Sequence, residues 1–299
     1  MIRIGISPIA WQNDDLPDLT AAYTMEDALR EAAAIGYAGV ERGQRMPSDT
    51  EGLRGLLDRH GLALCGGWCS GGLLRRTPAE EIAAIRPQVE QFAALGAPCL
   101  VYAECSNTVQ GRRDVAVNDR PQLSPAEIAA YAAKLTEVAA WCAERGVPLA
   151  YHHHMGSMIE SGDDVDRLME GSGEAVHLLY DTGHLRFGGA DPLAVLDRWG
   201  RRVGHVHFKD VRAPVVARAR SEGMSFLDAV IAGAFTVPGD PEGTIDFAAV
   251  TERLAAMGYD GWIVVEAEQD PARADPTAYS RTGHAEIRRL CAAAGLAVA

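Results

Sequence analysis

A chain of 299 residues, 47% of them AVILMFWYC with 31 glycines and 15 prolines, can bury a large core and still turn often. Its formal net charge of −13, with Arg and Lys scattered rather than gathered in a stripe, argues against a nucleic-acid partner. No window approaches about 18 consecutive apolar residues, and the opening MIRIGISPIAWQNDD lacks the apolar run and cleavage site of a signal peptide, so a cytoplasmic protein with no membrane partner is expected.

The first apolar run is IRIGISPI, residues 2–9, and the helical pattern MEDALREAAAIG follows it. Short β-type runs then alternate with helical ones: GVE at 39–41, LALCGGW at 62–68, CLVYAE at 99–104, PLAYHHH at 148–154, VHLLYD at 176–181, VGHVHFK at 203–209 and WIVVE at 262–266. Helices such as TPAEEIAAIRPQVEQFAALG, SPAEIAAYAAKLTEVAAWCAERG and DFAAVTERLAAMG lie between them. Several open on Ser, Thr or Asp and close on Gly. Eight βα units of about 37 residues predict an α/β fold, a (β/α)8 TIM barrel forming a single domain over 1–299. A doubly wound sheet is disfavoured because no GxGxxG follows the first strand. IGYAGVE and MGYDGWIVVE echo one another, each leaving a helix through Gly-Tyr-x-Gly and ending a strand on Glu.

Residues 211–245 form the longest irregular connection, holding a short helix in SEGMSFLDAVIAG and then FTVPGDPEG; a lid or binding loop is expected there. The six cysteines, Cys65, Cys69, Cys99, Cys105, Cys142 and Cys291, form no CxxC pair or zinc-ribbon spacing and read as reduced packing residues.

In such barrels the working face lies at the C-terminal ends of the strands. Here strand after strand ends on a group that ligates metal or moves a proton: Glu41, Glu104, His152 and His154, Asp181, His205 and His207, and Glu266. Alternation aims His205 and His207 to one side, and His152 and His154 to one side with His153 turned toward the helices. Glu268 shares the face of Glu266, and His184 follows Asp181 in YDTGH. Carboxylates and imidazoles together make an N/O site suited to Mn²⁺, Co²⁺, Fe²⁺ or Zn²⁺. Such a site polarises a ketone while a side chain moves a proton. The turn AEQDP is acidic where phosphate sites use Gly-rich amides, so a neutral polyhydroxy ketone is the expected substrate. Trp11 and Trp68 wall a sugar-like ligand or plug the barrel mouth. No GxSxG elbow or Walker sequence is present.

GISPIAWQNDDLP, YHHHMG, LLYDTGHLRFGGADP, VGHVHFKDVR, FTVPGD and GYDGWIVVEAEQDP together, in this order, resemble the inosose dehydratases of the xylose-isomerase-like barrels. The resemblance implies a divalent cofactor, Mn²⁺ or Co²⁺, and dehydration of 2-keto-myo-inositol in inositol catabolism, with a ketose or inosose epimerase or isomerase as the alternative. It implies Asp181, His207 and Glu266 as ligands, with His152 standing where the superfamily has Glu. His154, His184 and Lys209 are the expected catalytic residues; Trp11, Glu41, Trp68 and Glu104, from their strand-end places, and Arg212, from the resemblance, are the expected substrate contacts. The division between ligand and acid/base among His152, His154 and Glu160 stays open. Glutathione is associated with the family's activity, although no run in this sequence marks a site for it. The sequence is compatible with a homo-oligomer.

Overall fold

The computed structural model describes residues 1–299. Eight parallel strands close the barrel: β1 (Arg3–Ile6), β2 (Gly39–Arg42), β3 (Ala63–Gly71), β4 (Leu100–Glu104), β5 (Leu149–His152), β6 (Val176–Asp181), β7 (Val203–Phe208) and, after an inserted pair, β10 (Trp262–Val265) beside β1. The inserted pair is β8 (Asp210–Val211) and β9 (Phe235–Thr236), antiparallel to one another. The (β/α)8 barrel expected from the alternating periods is therefore the observed fold.

Each strand divides its side chains between two cores, as a period of two requires. Tyr102, Leu149, Tyr151, Leu178, Tyr180, Val206, Phe208, Ile263 and Val265 join the large cluster against the helices. Val101, Ala150 and Leu179, with Cys99, fill a separate small cluster, and Cys65, Trp262 and Val264 another. These small clusters are the interior plugs of the barrel. Continuing the phase carries His152, Asp181, His205, His207 and Glu266 to the interior at the C-terminal mouth.

The helices start where the chain supplies a hydroxyl and a carboxylate three residues apart. Thr24 with Asp27, Thr77 with Glu80, Ser124 with Glu127 and Ser161 with Asp164 all form reciprocal capping boxes. Several strands stop earlier than their apolar runs. Pro8 opens a 3₁₀ turn over Pro8–Ala10 that ends β1 at Ile6, and β5 ends at His152.

The connection after β7 departs most from expectation. Instead of an irregular stretch with one short helix, it contains helices Ala213–Glu222 and Phe226–Ile231 bracketed by β8 and β9. The first helix is hidden in the sequence because arginines interrupt a narrow apolar face of Val215, Val216 and Ala219. The insertion makes its own twelve-residue core with Leu16, Met155 and Phe187 from the barrel mouth, and so covers one side of that mouth.

Candidate active site

A polar cavity opens at the C-terminal mouth, and Glu41, His152, His154, His207, Glu266 and Glu268 stand in its wall with Trp68. Register explains the meeting of the first ligand candidates, since Asp181 of β6 is paired with His207 of β7. His207 Nδ1 lies 3.4 Å from Asp181 Oδ2, and His152 Nε2 lies 3.9 Å from the same oxygen. Asp181 divides its two oxygens. Oδ1 caps the helix Thr182–Phe187 by accepting from the His184 amide at 2.8 Å, and Oδ2 is left for the site.

Ten buried side-chain polar atoms have no hydrogen-bond partner; His152 Nδ1, Asp181 Oδ2 and His207 Nδ1 are among them, as is Glu266 Oε2, which is nevertheless in close ionic contact with Lys209 Nζ. A buried orphan of this kind is costly unless something else satisfies it. Two imidazoles and two carboxylates make an N/O donor set that fits a divalent cation. Asp181, His207 and Glu266 offer ligand atoms within 4.8 Å of one another, as do His152, Asp181 and His184.

Glu41 holds the far side of His207. Its Oε1 lies 3.0 Å from both His205 Nε2 and His207 Nε2, and all three residues are buried. Burial pushes the Glu41 carboxyl up, but the two imidazoles outweigh it and hold the group well below the usual carboxylate range. Burial likewise pushes His207 down, and the charges of Glu41 and Asp181 together with the Glu41 hydrogen bond raise it to about 10. With Nε2 engaged by Glu41, His207 presents Nδ1 to the orphan cluster.

His154 stands past the end of β5, with Nδ1 2.9 Å from the Met155 carbonyl. A carbonyl only accepts, so Nδ1 carries the proton and Nε2 the lone pair, 3.8 Å from Glu268 Oε1. His153 is fully buried with neither ring nitrogen partnered, and burial pushes it down to about 4. His184 sits behind His154, its Nδ1 accepting from the Met155 amide and its Nε2 2.9 Å from Lys209 Nζ. Phe226 and Phe235 of the insertion pack on this pair, with Phe226 5.2 Å from the His154 ring and Phe235 5.0 Å from His184.

The expected substrate contacts separate into two groups. Trp68 lines the cavity and meets the rings of His152 and His154 edge-on. Trp11 does not line it: it is fully buried in the outer core, with Nε1 donating to Glu31 Oε2 at 2.7 Å. Glu104 is spent on the backbone, accepting from the amides of Leu74 and Ser106. Arg212 is turned into the insertion, where it binds Asp240, Glu242 and the Gly233 and Phe235 carbonyls. Glu160 points away from the cavity and pairs with Arg220 at 2.6 Å. Lys209 is wholly buried beneath the carboxylates.

Sequence reasoning passed over Asp14, Asp15, Gln12, Arg42, Gln44 and Gln110, which complete the cavity wall. The polar run QNDD directly after the first strand was the available signal for three of them. Arg42 is the one arginine or lysine in the wall, and its Nε has no partner. The β2–β3 register shifts between Val40 and Arg42, and a Cβ on Gly67 would stand 2.8 Å from Arg42 Cβ. This irregularity aims Arg42 at the mouth, and no side-chain pattern announces it.

The family model for the xylose isomerase-like TIM barrel matches residues 29–290. The chain is 46% identical to the rhizopine catabolism protein MocC of Rhizobium meliloti, over 98% of this chain and 90% of that protein. It is 42% identical to the inosose dehydratase of Geobacillus thermodenitrificans, over 97% of each. The chain belongs to the inosose dehydratase family of xylose isomerase-like TIM barrels. A solved structure of the IOLI protein with a bound zinc atom superposes on this family member with a TM-score of 0.69 at 15% identity, covering 97% of this chain and 98% of that one.

Proposed function

We propose that this inosose dehydratase family member removes water from 2-keto-myo-inositol to give a trihydroxycyclohexane-1,2-dione, with Mn²⁺ or Co²⁺ as its cofactor. The observation that carries the reading is the gathering of His152, Asp181, His207 and Glu266, two imidazoles and two carboxylates, at one mouth of the barrel. The names of the full-length relatives support the substrate, and the zinc of the IOLI protein supports a divalent ion on this fold. His152, Asp181, His207 and Glu266 would hold the divalent cation, which would supply positive charge to the oxygen on which negative charge develops.

The chain's own residues do the rest. Trp68 walls one face of the ring, while Arg42 and the amides of Gln44 and Gln110 offer donors to its hydroxyls. His154 Nε2 takes the proton from the carbon between the ketone and the carbon bearing the departing hydroxyl. The electron pair of that C–H bond passes to the ketone oxygen. Glu268 carries the matching charge for the imidazolium. The same nitrogen returns the proton to the β-hydroxyl as its C–O bond breaks, water leaves, and the enol relaxes to the dione. Phe226 and Phe235 keep water from this edge of the site, where each charge is then felt more strongly. Glu41 orients His207 from behind.

Six free cysteines fit a reducing, cytoplasmic setting, and no helix is long and apolar enough to cross a membrane. Mass spectrometry tests the reaction: metal-loaded protein incubated with 2-keto-myo-inositol yields a product lighter by one water. A product of unchanged mass and altered stereochemistry would establish an epimerase instead.

A further inference from the structure

Lys209 is the only lysine or arginine inside the cluster of carboxylates and imidazoles, and it is wholly buried there. We propose that its ammonium is the resident counter-cation of the metal centre, holding the carboxylates together without metal and limiting how tightly a divalent ion is bound. This rests on the metal reading above.

Three carboxylates surround Lys209 Nζ: Glu266 in close contact, Glu268 at 2.6 Å and Asp181 at 3.7 Å. Two of these, Asp181 and Glu266, are in the proposed ligand set. The lysine is 0% exposed, and the Phe235 ring closes over Nζ at 4.5 Å. A buried ammonium is tolerated only with opposite charges around it, and these carboxylates need it equally.

The local sequence is shaped around this side chain. Thr182 Oγ1 binds both the amide and the carbonyl of Lys209. A Cβ at position 183 would stand 2.4 Å from Lys209 Cγ, so the glycine of YDTGH clears the path of the lysine stem. The burial and the engineered passage exclude a role as a mobile surface cation.

Ammonium and metal thus draw on the same carboxylates. A divalent ion arriving beside Asp181 and Glu266 gains their attraction and meets the repulsion of Nζ. Removing the ammonium therefore strengthens metal binding, whereas a merely structural lysine would weaken it on removal. The opposite signs make the proposal testable without turnover.

The experiment measures Mn²⁺ dissociation constants of metal-stripped wild type and K209Q at pH 8, reading free Mn²⁺ by electron paramagnetic resonance, with thermal melts of each form. K209Q is expected to bind Mn²⁺ at least about tenfold more tightly. Its metal-free form is expected to melt lower than wild type and to gain more on loading. Unchanged or weaker binding by folded K209Q overturns the proposal. If K209Q fails to fold without metal, K209M/E268Q removes one charge of each sign. It is expected to fold and to bind within about fivefold of wild type. A larger loss, or failure to fold, overturns the proposal. Wild type that binds neither Mn²⁺ nor Co²⁺ overturns it together with the metal reading; wild type that binds while K209Q shows no gain overturns it alone.

Discussion

His205 and His207 alternate within the regular strand β7 and meet a single carboxylate, whereas the triplet His152, His153 and His154 is cut by the end of β5 after its first member. In β7 the pleat alone settles direction, so both rings face the interior. In the triplet the pleat settles only His152, and the turn to Ile159 settles the rest through the hydrogen bond of the His154 amide to the Ile159 carbonyl. Similar histidine spacing thus yields one rigid pair and one divided set: a ligand candidate, a buried neighbour and a proposed proton carrier. Inside a strand, spacing predicts side-chain direction; one residue past its end, loop hydrogen bonds take over.

Substitutions sharpen this contrast. The largest effect is expected from His207→Asn, which removes an unspent ligand nitrogen from the rigid pair: metal affinity falls by more than about a hundredfold, beyond what loss of an outer partner does. Calorimetric titration with Mn²⁺ checks it, and near-normal affinity would break the assignment. His154→Gln is expected to lower kcat by about 10²- to 10⁴-fold with metal content unchanged by elemental analysis. Concurrent loss of metal would move His154 into the ligand set.

A smaller change separates orientation from ligation. Glu41→Gln leaves every proposed ligand in place but weakens the hold on His207 Nε2, so metal affinity is expected to fall about tenfold to a hundredfold, again by titration. The smallest effect falls on the middle of the triplet. His153→Asn costs about 1–3 kcal/mol of stability in denaturant melts while leaving metal affinity as it was. Metal loss equal to that of His207→Asn would show that the triplet's phase is misread.

The barrel was legible because alternating periods, caps and strand-end polar residues all agree, and the clustering of Asp181, His207 and Glu266 at its mouth came with it. Trp11 and Trp68 show what was not legible. Both are aromatic residues near strand ends, but the 3₁₀ turn of Pro8–Ala10 sends Trp11 outward to Glu31, while β3 continues past Trp68 and keeps it at the mouth. Glu104 ends β4 and Glu266 follows β10, yet two amides capture Glu104 whereas Glu266 meets the Lys209 ammonium. Arg42 depended on a register shift, and Arg212 on helices that a narrow apolar face concealed. Each miss concerns a contact made at or beyond a strand's end or at a register shift, where tertiary partners decide and local period carries no information.

Anomalous diffraction from crystals grown with Mn²⁺ tests the arrangement most directly. The expected result is one peak bounded by His152, Asp181, His207 and Glu266, with His153 outside the coordination shell. A peak held instead by Glu41, His205 and His207, or one that includes His153, would contradict it.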